Sequence, residues 1–148
     1  MEIAMIADDS KKELMAQFCI AYCGILSRHR ICATQTTGKY VKEATGLDIE
    51  MMMSGSTGGC EQIISRIAYN EIDLLFYFRD TEAKTGWDNA AENDATLLRL
   101  CDVHNVPIAT NIATAEVLVL ALSRGELDWR TMVNPRSSRR NSLGRSRK

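Results

Sequence analysis

Histidine and aromatic residues are scarce in this chain of 148 residues, which has two histidines and 6% aromatic residues. With only His29 and His104 available, few imidazoles can serve as an acid or a base. The five cysteines lack a paired metal-site spacing, so we expect no metal site. No apolar run reaches the roughly 18 residues of a membrane span, and no signal-peptide pattern opens the chain. These absences predict a reduced, cytoplasmic protein that has no membrane partner.

The remaining composition is ordinary for a globular protein, with 45% apolar and 25% charged residues in a length that suits one domain. Charge is distributed unevenly, because residues 134–148 contain six basic side chains and no acidic one, which leaves residues 1–133 at a net charge of about −7. We expect one domain over residues 1–133 and a Ser/Arg-rich tail, disordered on its own, over residues 134–148. The tail either aids solubility or contacts anions on a neighbouring subunit or a nucleic acid, and the acidic body argues against nucleic acid.

Short apolar segments alternate with helical patterns five times along the chain. We predict strands at residues 2–7, 30–33, 49–53, 74–78 and 106–109, and helices at residues 11–29, 38–44, 60–69, 95–104 and 114–124. Thr114 is the expected cap of the last helix, and Gly46 and Gly125 are expected helix ends. The alternation predicts an α/β fold with a doubly wound, five-stranded parallel sheet between two layers of helices. Residues 80–93 form the longest predicted irregular segment, and such segments often cover a site.

Two turns rich in hydroxyl groups and glycine, at residues 34–38 and 54–59, each follow a predicted strand and precede a predicted helix. Backbone N–H groups, side-chain hydroxyls and the helix dipole at such a junction favour an anion. Asp8, Asp9 and Asp80 also follow strands, so they meet the two turns at the same edge of a parallel sheet. The sequence therefore predicts a phosphate site at this edge.

Several longer phrases extend over most of the chain. They are IA-[HD]-D at residues 6–9, ATxTTG at 33–38, EATGL at 43–47, SGxxGG at 54–59, IDLLxFFRD across 72–80, LLRLCDVHNVPxATNxATAE at 97–116 and LDWR at 127–130. In these phrases the chain resembles the methylglyoxal synthase family. The resemblance implies a doubly wound sheet assembled as a homohexamer, and an enzyme that converts dihydroxyacetone phosphate to methylglyoxal and phosphate without a cofactor.

The resemblance also implies a set of phosphate-binding residues, which this chain retains: Lys12, Thr34, Thr36, Thr37, Ser54 and Gly55. Gln35 stands where the family has glycine, so a side chain there narrows the pocket or adds an amide contact.

The family's proton-transfer residues are replaced in this chain. Cys60 occupies the position of the aspartate base, Asn93 that of another aspartate, and Asp8 that of a histidine. The loop that carries the family's catalytic histidine contains none here, and Trp87 or Ala90 takes its place. A helix N-terminus is expected to lower the pKa of the Cys60 thiol, which would allow it to act as a base. We nevertheless favour the interpretation that Cys60 is a small residue that fills space.

Two functions remain open at this point. The first is a family member that binds a phosphorylated small molecule, such as a sugar phosphate or a nucleotide, with lost or weakened lyase activity. In that case Trp87 is a candidate for stacking on a ring. The alternative is an active methylglyoxal synthase in which Asp9 and Asp80 carry the proton transfers.

Overall fold

The structure is a computed structural model that describes residues 1–55, 58–82 and 90–137. Within these ranges the strands are β1 (Glu2–Ala7), β2 (Arg30–Ala33), β3 (Ile49–Met51), β4 (Leu74–Phe78) and β5 (Ile108–Ala109). The helices are α1 (Lys12–Ala21), α2 (Cys23–Leu26), α3 (Gln35–Thr45), α4 (Gly59–Ala68), α5 (Ala90–His104), α6 (Ile112–Ser123) and α7 (Arg130–Val133), and a 3₁₀ turn spans Asp9–Lys11.

The five strands form one parallel sheet in the order β3-β2-β1-β4-β5. The chain builds the sheet outward from β1 through β2 to β3, and then returns to the other side of β1 to place β4 and β5. This reversal puts β1 and β4 side by side, with Ile3 opposite Leu74 and Ala7 opposite Phe78. In a doubly wound sheet the crevice beyond the carboxyl ends of two such strands is where ligands bind.

Two apolar cores cover the two faces of the sheet, as the predicted three-layer α/β fold requires. Side chains alternate along β4, so that Phe76 faces one core with Phe18 of α1, while Leu75 faces the other with Ile63 of α4. Helices α1, α3 and α6 pack on the first face, and α4 and α5 on the second. No helix in the described ranges has both the length and the apolar content that crossing a bilayer requires.

The predicted helix over residues 11–29 is wrong in its extent. It is divided into a 3₁₀ turn, α1 and α2, and the break lies at Tyr22, whose φ of −113° and ψ of 23° are not helical. Ring contact between Phe18 and Tyr22, with centroids 5.2 Å apart, spans the break. The change of direction lets Leu26 enter the core, where it is fully buried.

Three helices begin earlier than the residue pattern predicts. Helix α3 begins at Gln35, because the Gly38 amide already donates to the Thr34 carbonyl at 2.8 Å. Helix α5 begins at Ala90, so the end of the predicted irregular segment is helical, and residues 83–89 lie outside the described ranges. Helix α6 begins at Ile112 with Asn111 as its cap.

The predicted helix cap at Thr114 is therefore incorrect. The Asn111 side chain accepts a hydrogen bond from the Thr114 amide at 3.1 Å, so Thr114 provides the amide that is capped. Asparagine ranks above threonine as a cap, because its side-chain oxygen reaches the third amide of the helix. The two predicted glycine ends are confirmed, since Gly46 and Gly125 have φ of 71° and 78°.

A buried ion pair joins α7 to the start of β4, at the edge opposite the predicted site. Arg130 and Asp73 are both fully buried, and the Arg130 Nε lies 3.2 Å from the Asp73 Oδ1. Three of the four remaining guanidinium hydrogens are donated to the Asn70 side chain and to the carbonyls of Ile72 and His104. Four of the five N–H groups thus have partners, which offsets the cost of burying the charge.

The first residues of the predicted tail pack against the same edge. Asn134 and Ser137 are buried, the Asn134 amide donates to Asp73, and the Arg136 guanidinium lies 3.8 Å from the buried carboxylate of Glu2. Residues 138–148 lie outside the described ranges, so the tail boundary at residue 134 stays a prediction.

Candidate functional site at the carboxyl edge of the sheet

The crevice between β1 and β4 contains two of the predicted acidic residues. Asp8 follows β1 directly, and its Oδ2 accepts a hydrogen bond from the Asp80 amide at 2.7 Å. The Asp80 carboxylate in turn accepts from the Ser10 hydroxyl and from the Glu82 amide. Burial raises the pKa of Asp8, and the nearby charges of Asp94 and Asp80 add to the increase. Asp8 is therefore a half-buried carboxylate with a strengthened affinity for protons.

Lys12 provides a cation beside this crevice. Its ammonium group forms an ion pair with Asp9, three residues earlier, across the start of α1. The lysine side chain is only 10% exposed, whereas the Asp9 side chain is fully exposed. An anion at this edge would compete with Asp9 for a lysine that the fold holds in place.

The first turn divides its three threonines between two environments. The hydroxyl of Thr37 is buried, accepts from the Ala7 amide at 3.2 Å and lies 3.1 Å from the donating Thr34 hydroxyl. Thr36 and Gln35 are exposed in the first turn of α3. Thr34 and Thr37 thus shape the turn, while Thr36 is the threonine whose side chain is exposed to solvent.

The second turn is joined directly to the first. The Gln35 amide donates to the Met53 carbonyl at 3.2 Å, and the Met53 amide donates to the Gln62 side chain of α4 at 2.7 Å. Ser54 is half-buried and its carbonyl accepts from the Gly59 amide, while Gly55 is exposed. The structure therefore brings both predicted anion turns together, and residues 56 and 57 lie outside its described ranges.

Glycine is required at position 59. A Cβ atom there would lie 1.9 Å from the Met53 carbonyl oxygen, far inside van der Waals contact. The close approach positions the first turn of α4, and with it Cys60, against the Ser54–Gly55 backbone. A Cβ atom at Gly55 would be 3.8 Å from the Cys60 sulfur.

The expectation of a lowered pKa for Cys60 is wrong. Burial raises the pKa of this thiol to about 11, and the negative charges of Glu61, Asp94 and Asp8 contribute further. Desolvation and these carboxylates outweigh the helix N-terminus, because they disfavour the thiolate. Cys60 is consequently a protonated thiol near pH 7 and cannot take over the role of an aspartate base.

Three polar residues near the crevice were not identified from the sequence: Tyr77, Arg79 and Asp94. The Tyr77 hydroxyl donates to the Asp94 Oδ1 at 2.7 Å, and burial together with this hydrogen bond raises the pKa of Tyr77. The Arg79 Nη1 lies 3.8 Å from the Asp94 Oδ2. Tyr77 lies in the apolar strand β4, Arg79 directly follows that strand, and Asp94 is the residue after Asn93, so no simple motif marks them.

Both histidines of the chain lie at the opposite edge of the sheet. The His29 ring contacts the Met1 amino group next to the start of β1, and burial lowers the pKa of His29. The carbonyl of His104 accepts from Arg130. The site therefore has no imidazole. Trp87 lies outside the described residues, so its predicted stacking role stays a prediction.

Two concave regions lie away from this edge. One, of about 380 Å³, is an open groove between α1 and α3 lined by Glu13, Tyr40 and Glu43 among others. The other, of about 180 Å³, adjoins His29 and Asp48. Neither contains a predicted site residue. Across residues 1–55, 58–82 and 90–137 no group of three or more metal-ligating side chains is arranged to hold an ion.

Comparison with known proteins agrees with this geometry. Residues 15–110 match the sequence model of the MGS-like domain. The chain is 54% identical to methylglyoxal synthase of Caldicellulosiruptor saccharolyticus over 142 residues, which cover 96% of this chain and 99% of the relative. It is 47% identical to methylglyoxal synthase of Oceanobacillus iheyensis, over 94% of this chain and 97% of the relative.

Solved structures give the same result for the fold. The crystal structure of methylglyoxal synthase from Elizabethkingia anophelis superposes with a TM-score of 0.71 at 35% identity, over 80% of this chain and 76% of that one. The crystal structure of ForH, at 17% identity and a TM-score of 0.51 over 93% of this chain and 92% of that one, shares the fold alone. With a matching family model, relatives of up to 54% identity and a matching fold, the chain belongs to the methylglyoxal synthase family.

Proposed function

We propose that this protein binds a triose phosphate at the carboxyl edge of its sheet and eliminates phosphate from it, as a lyase whose base is Asp8. One observation carries the proposal: a half-buried carboxylate with a raised pKa follows β1 at the crevice, beside the thiol that stands at the family's base position. A carboxylate removed from position 60 is thus compensated by one at position 8. A base with a pKa closer to neutrality is also better matched to general base catalysis.

The reaction requires two proton removals and two returns. Asp8 removes a proton from the hydroxymethyl carbon of dihydroxyacetone phosphate, and the carbon–hydrogen electron pair forms the enediolate. Loss of the hydroxyl proton then forms the aldehyde, the double bond moves, and the carbon–oxygen bond to phosphate breaks with its electrons on phosphate. One proton returns to phosphate and one to the product enolate, which becomes methylglyoxal. No oxidant or cofactor is needed for this balance.

Lys12 and the two joined turns are the proposed phosphate grip. Lys12, whose side chain is 10% exposed at the start of α1, and the helix amides at the start of α3 would each favour an anion. Thr34, Thr36, Thr37, Ser54 and Gly55 are the proposed lining, in which Thr34 and Thr37 hold the turn. Asp9, exposed and paired with Lys12, is displaced from the lysine when phosphate binds.

Weakened turnover is part of this proposal, and one observation favours its extreme form, a binding protein without turnover. The thiol at position 60 is protonated near pH 7, and both histidines lie at the other edge of the sheet. Loss of an imidazole and of a base each removes roughly 10²–10⁴-fold of acid–base assistance. A protein with no remaining base would bind a sugar phosphate or nucleotide and release it unchanged.

Phosphate and methylglyoxal release from dihydroxyacetone phosphate tests the proposal. The wild type is expected to turn over, and Asp8→Asn to lower kcat by roughly 10²–10⁴-fold. Asp9→Asn and Asp80→Asn in the same series test the predicted roles of those carboxylates. Asp48→Asn, an identical change on an exposed residue next to β3, is the matched control and should keep wild-type activity.

The two candidate functions give different results in this series. A wild type that releases no phosphate, but is thermally stabilised by dihydroxyacetone phosphate or a nucleotide and loses that response in Lys12→Met, supports the binding protein. Full activity in Asp8→Asn would show that Asp8 is not the base.

A further inference from the structure

A second carboxylate adjoins the crevice from α5. Asp94 lies near the start of that helix, and its two oxygens have different partners: Oδ1 accepts from the Tyr77 hydroxyl at 2.7 Å, and Oδ2 lies 3.8 Å from the Arg79 Nη1. The Arg79 Nε is buried and has no hydrogen-bond partner among the residues that the structure describes. The Asp94 carboxylate is therefore held by Tyr77 of β4 and by Arg79, which directly follows β4.

The negative charge of Asp94 is close enough to the crevice to act on two of its groups. Its charge contributes to the raised pKa of Asp8 and also to that of Cys60. Besides burial and the hydrogen bond to Asp94, the charges of the same two groups, Asp8 and Cys60, contribute to the raised pKa of Tyr77. The neighbouring Asn93, which stands at a family aspartate position, instead directs its amide to the exposed Glu61 at 3.4 Å.

We propose that Asp94 is the second proton-transfer carboxylate of this pocket and that Tyr77 is its positioning residue. This inference rests on the proposed lyase function. Asp94 accepts the proton of the substrate hydroxyl as the aldehyde forms and the carbon–oxygen bond to phosphate breaks, and it returns that proton to the departing phosphate, while Asp8 returns its proton to the CH2 carbon of the product enolate. Asp8 and Asp94 thus divide between them the carbon-bound and the oxygen-bound proton, in a site that has no imidazole.

The charged and titratable groups around Asp94, or around its neighbours Asp8 and Cys60, come from four elements. They are Asp8 after β1, Lys12 of α1, Cys60 and Glu61 of α4, and Tyr77, Arg79 and Asp80 on and after β4. Of these, only Tyr77 donates a hydrogen bond of ordinary length to Asp94 within the described part of the chain. The substitution Tyr77→Phe removes this hydroxyl and keeps the aromatic ring, so it tests the positioning role separately from the packing.

Steady-state kinetics of Asp94→Asn and Tyr77→Phe form the first arm of the test. Asp94→Asn should lower kcat by roughly 10²-fold with little change in KM, because proton transfer and not binding is removed. Tyr77→Phe should lower kcat by only about 3- to 10-fold. It should leave KM little changed, because the aromatic ring and its packing are kept. A tyrosine with a purely structural role would leave kcat unchanged as well.

The thiol of Cys60 provides a second arm that needs no turnover. The rate of Cys60 alkylation by iodoacetamide, followed peptide by peptide by mass spectrometry, reports the pH at which the thiolate forms. Neutralising a carboxylate near this thiol should shift the profile to lower pH in Asp94→Asn. Asp102→Asn removes the same charge from the far end of α5 and should leave the Cys60 profile unchanged.

The two arms separate the failure of this inference from the failure of the lyase proposal. An active wild type whose kcat and Cys60 profile are both unaffected by Asp94→Asn would overturn the role of Asp94 alone. A wild type without turnover overturns the lyase proposal and the proton-transfer step with it. In that case a shifted Cys60 profile would still support Asp94 as a carboxylate of the pocket, and an unshifted one would overturn that placement too.

Discussion

Charged groups at the two edges of the sheet differ in how completely they are hydrogen-bonded. At the amino edge, Arg130 and Asp73 are fully buried, and partners from Asn70, Asn134 and backbone carbonyls supply their hydrogen bonds. At the carboxyl edge, Asp8 has a raised pKa, and the Arg79 Nε is buried without a partner in the part of the chain that the structure describes. The first arrangement stabilises the fold, and the second leaves polar groups to which a ligand could supply the missing hydrogen bonds.

This difference distinguishes structural from functional charges by their surroundings. A complete set of hydrogen bonds leaves a charge with no capacity for a ligand, whereas perturbed pKa values and incomplete hydrogen bonding cluster at functional sites.

Replacing Arg130 with methionine should destabilise the protein by about 3–5 kcal/mol, because Asp73 would remain buried without its partner. Chemical denaturation gives the free energy of unfolding, and kcat per folded molecule should be unchanged. Arg66→Met removes an exposed ion pair with Glu50 and should cost about 1 kcal/mol or less. Equal losses in the two variants would contradict the structural role of the amino edge.

Replacing Lys12 with methionine should raise KM for dihydroxyacetone phosphate by about 10- to 100-fold. The reason is the loss of one hydrogen bond between a cation and phosphate, worth roughly 1.5–3 kcal/mol. Lys11→Met, one residue earlier and more exposed, is the control and should change KM little. Steady-state kinetics or calorimetry measures the effect, and an unaltered KM would remove Lys12 from the phosphate grip.

Asp8 should cost the fold some stability at neutral pH. Its pKa in the folded protein is raised above the unfolded value, so folding favours the protonated form and stability falls as pH rises through this range. Asp8→Asn should therefore raise Tm at pH 7 by about 1–3 °C while it removes activity. The gain should vanish at acidic pH, below the ordinary aspartate pKa, and a scan of Tm against pH measures it. A lower Tm at pH 7 would mean that Asp8 is structural.

Replacing Cys60 with serine should change kcat by less than about 3-fold, the smallest effect of the series. With a pKa of about 11, the thiol is almost wholly protonated at pH 7 and supplies no base. The same kinetic assay measures it. A loss of about 10²-fold or more would instead identify Cys60 as a proton-transfer group.

Much of the fold could be predicted from the sequence, because the periodicity of buried strands is a local signal. Strands β1, β2 and β4 have the predicted limits, and the all-parallel sheet follows from the alternation of strands and helices. Helix starts were less predictable, since the first turn of α3 and the Asn111 cap depend on individual hydrogen bonds.

The candidate site was predictable only where it coincides with turns after strands. The positions of Asp8 and Asp80 follow from the parallel sheet. The raised pKa of Cys60 instead depends on its burial and on carboxylates that include Asp94 and Asp8 of other elements, which sequence spacing does not reveal. The Tyr77–Asp94 pair joins a buried strand to a helix 17 residues later and has no local pattern. The predicted phosphate residues stay predictions until a ligand is tested.

Thr37 ties the end of β1 to the start of α3, since its hydroxyl accepts from the amide of Ala7, the residue immediately before Asp8. The first anion turn and the proposed base Asp8 are therefore joined through a single residue, Ala7. In the proposed site, a phosphate that shifts the first turn of α3 would also shift Asp8 through this hydrogen bond, so the phosphate end of a substrate would help to orient the base toward its other end. A phosphate-free analogue would then lose reactivity as well as affinity.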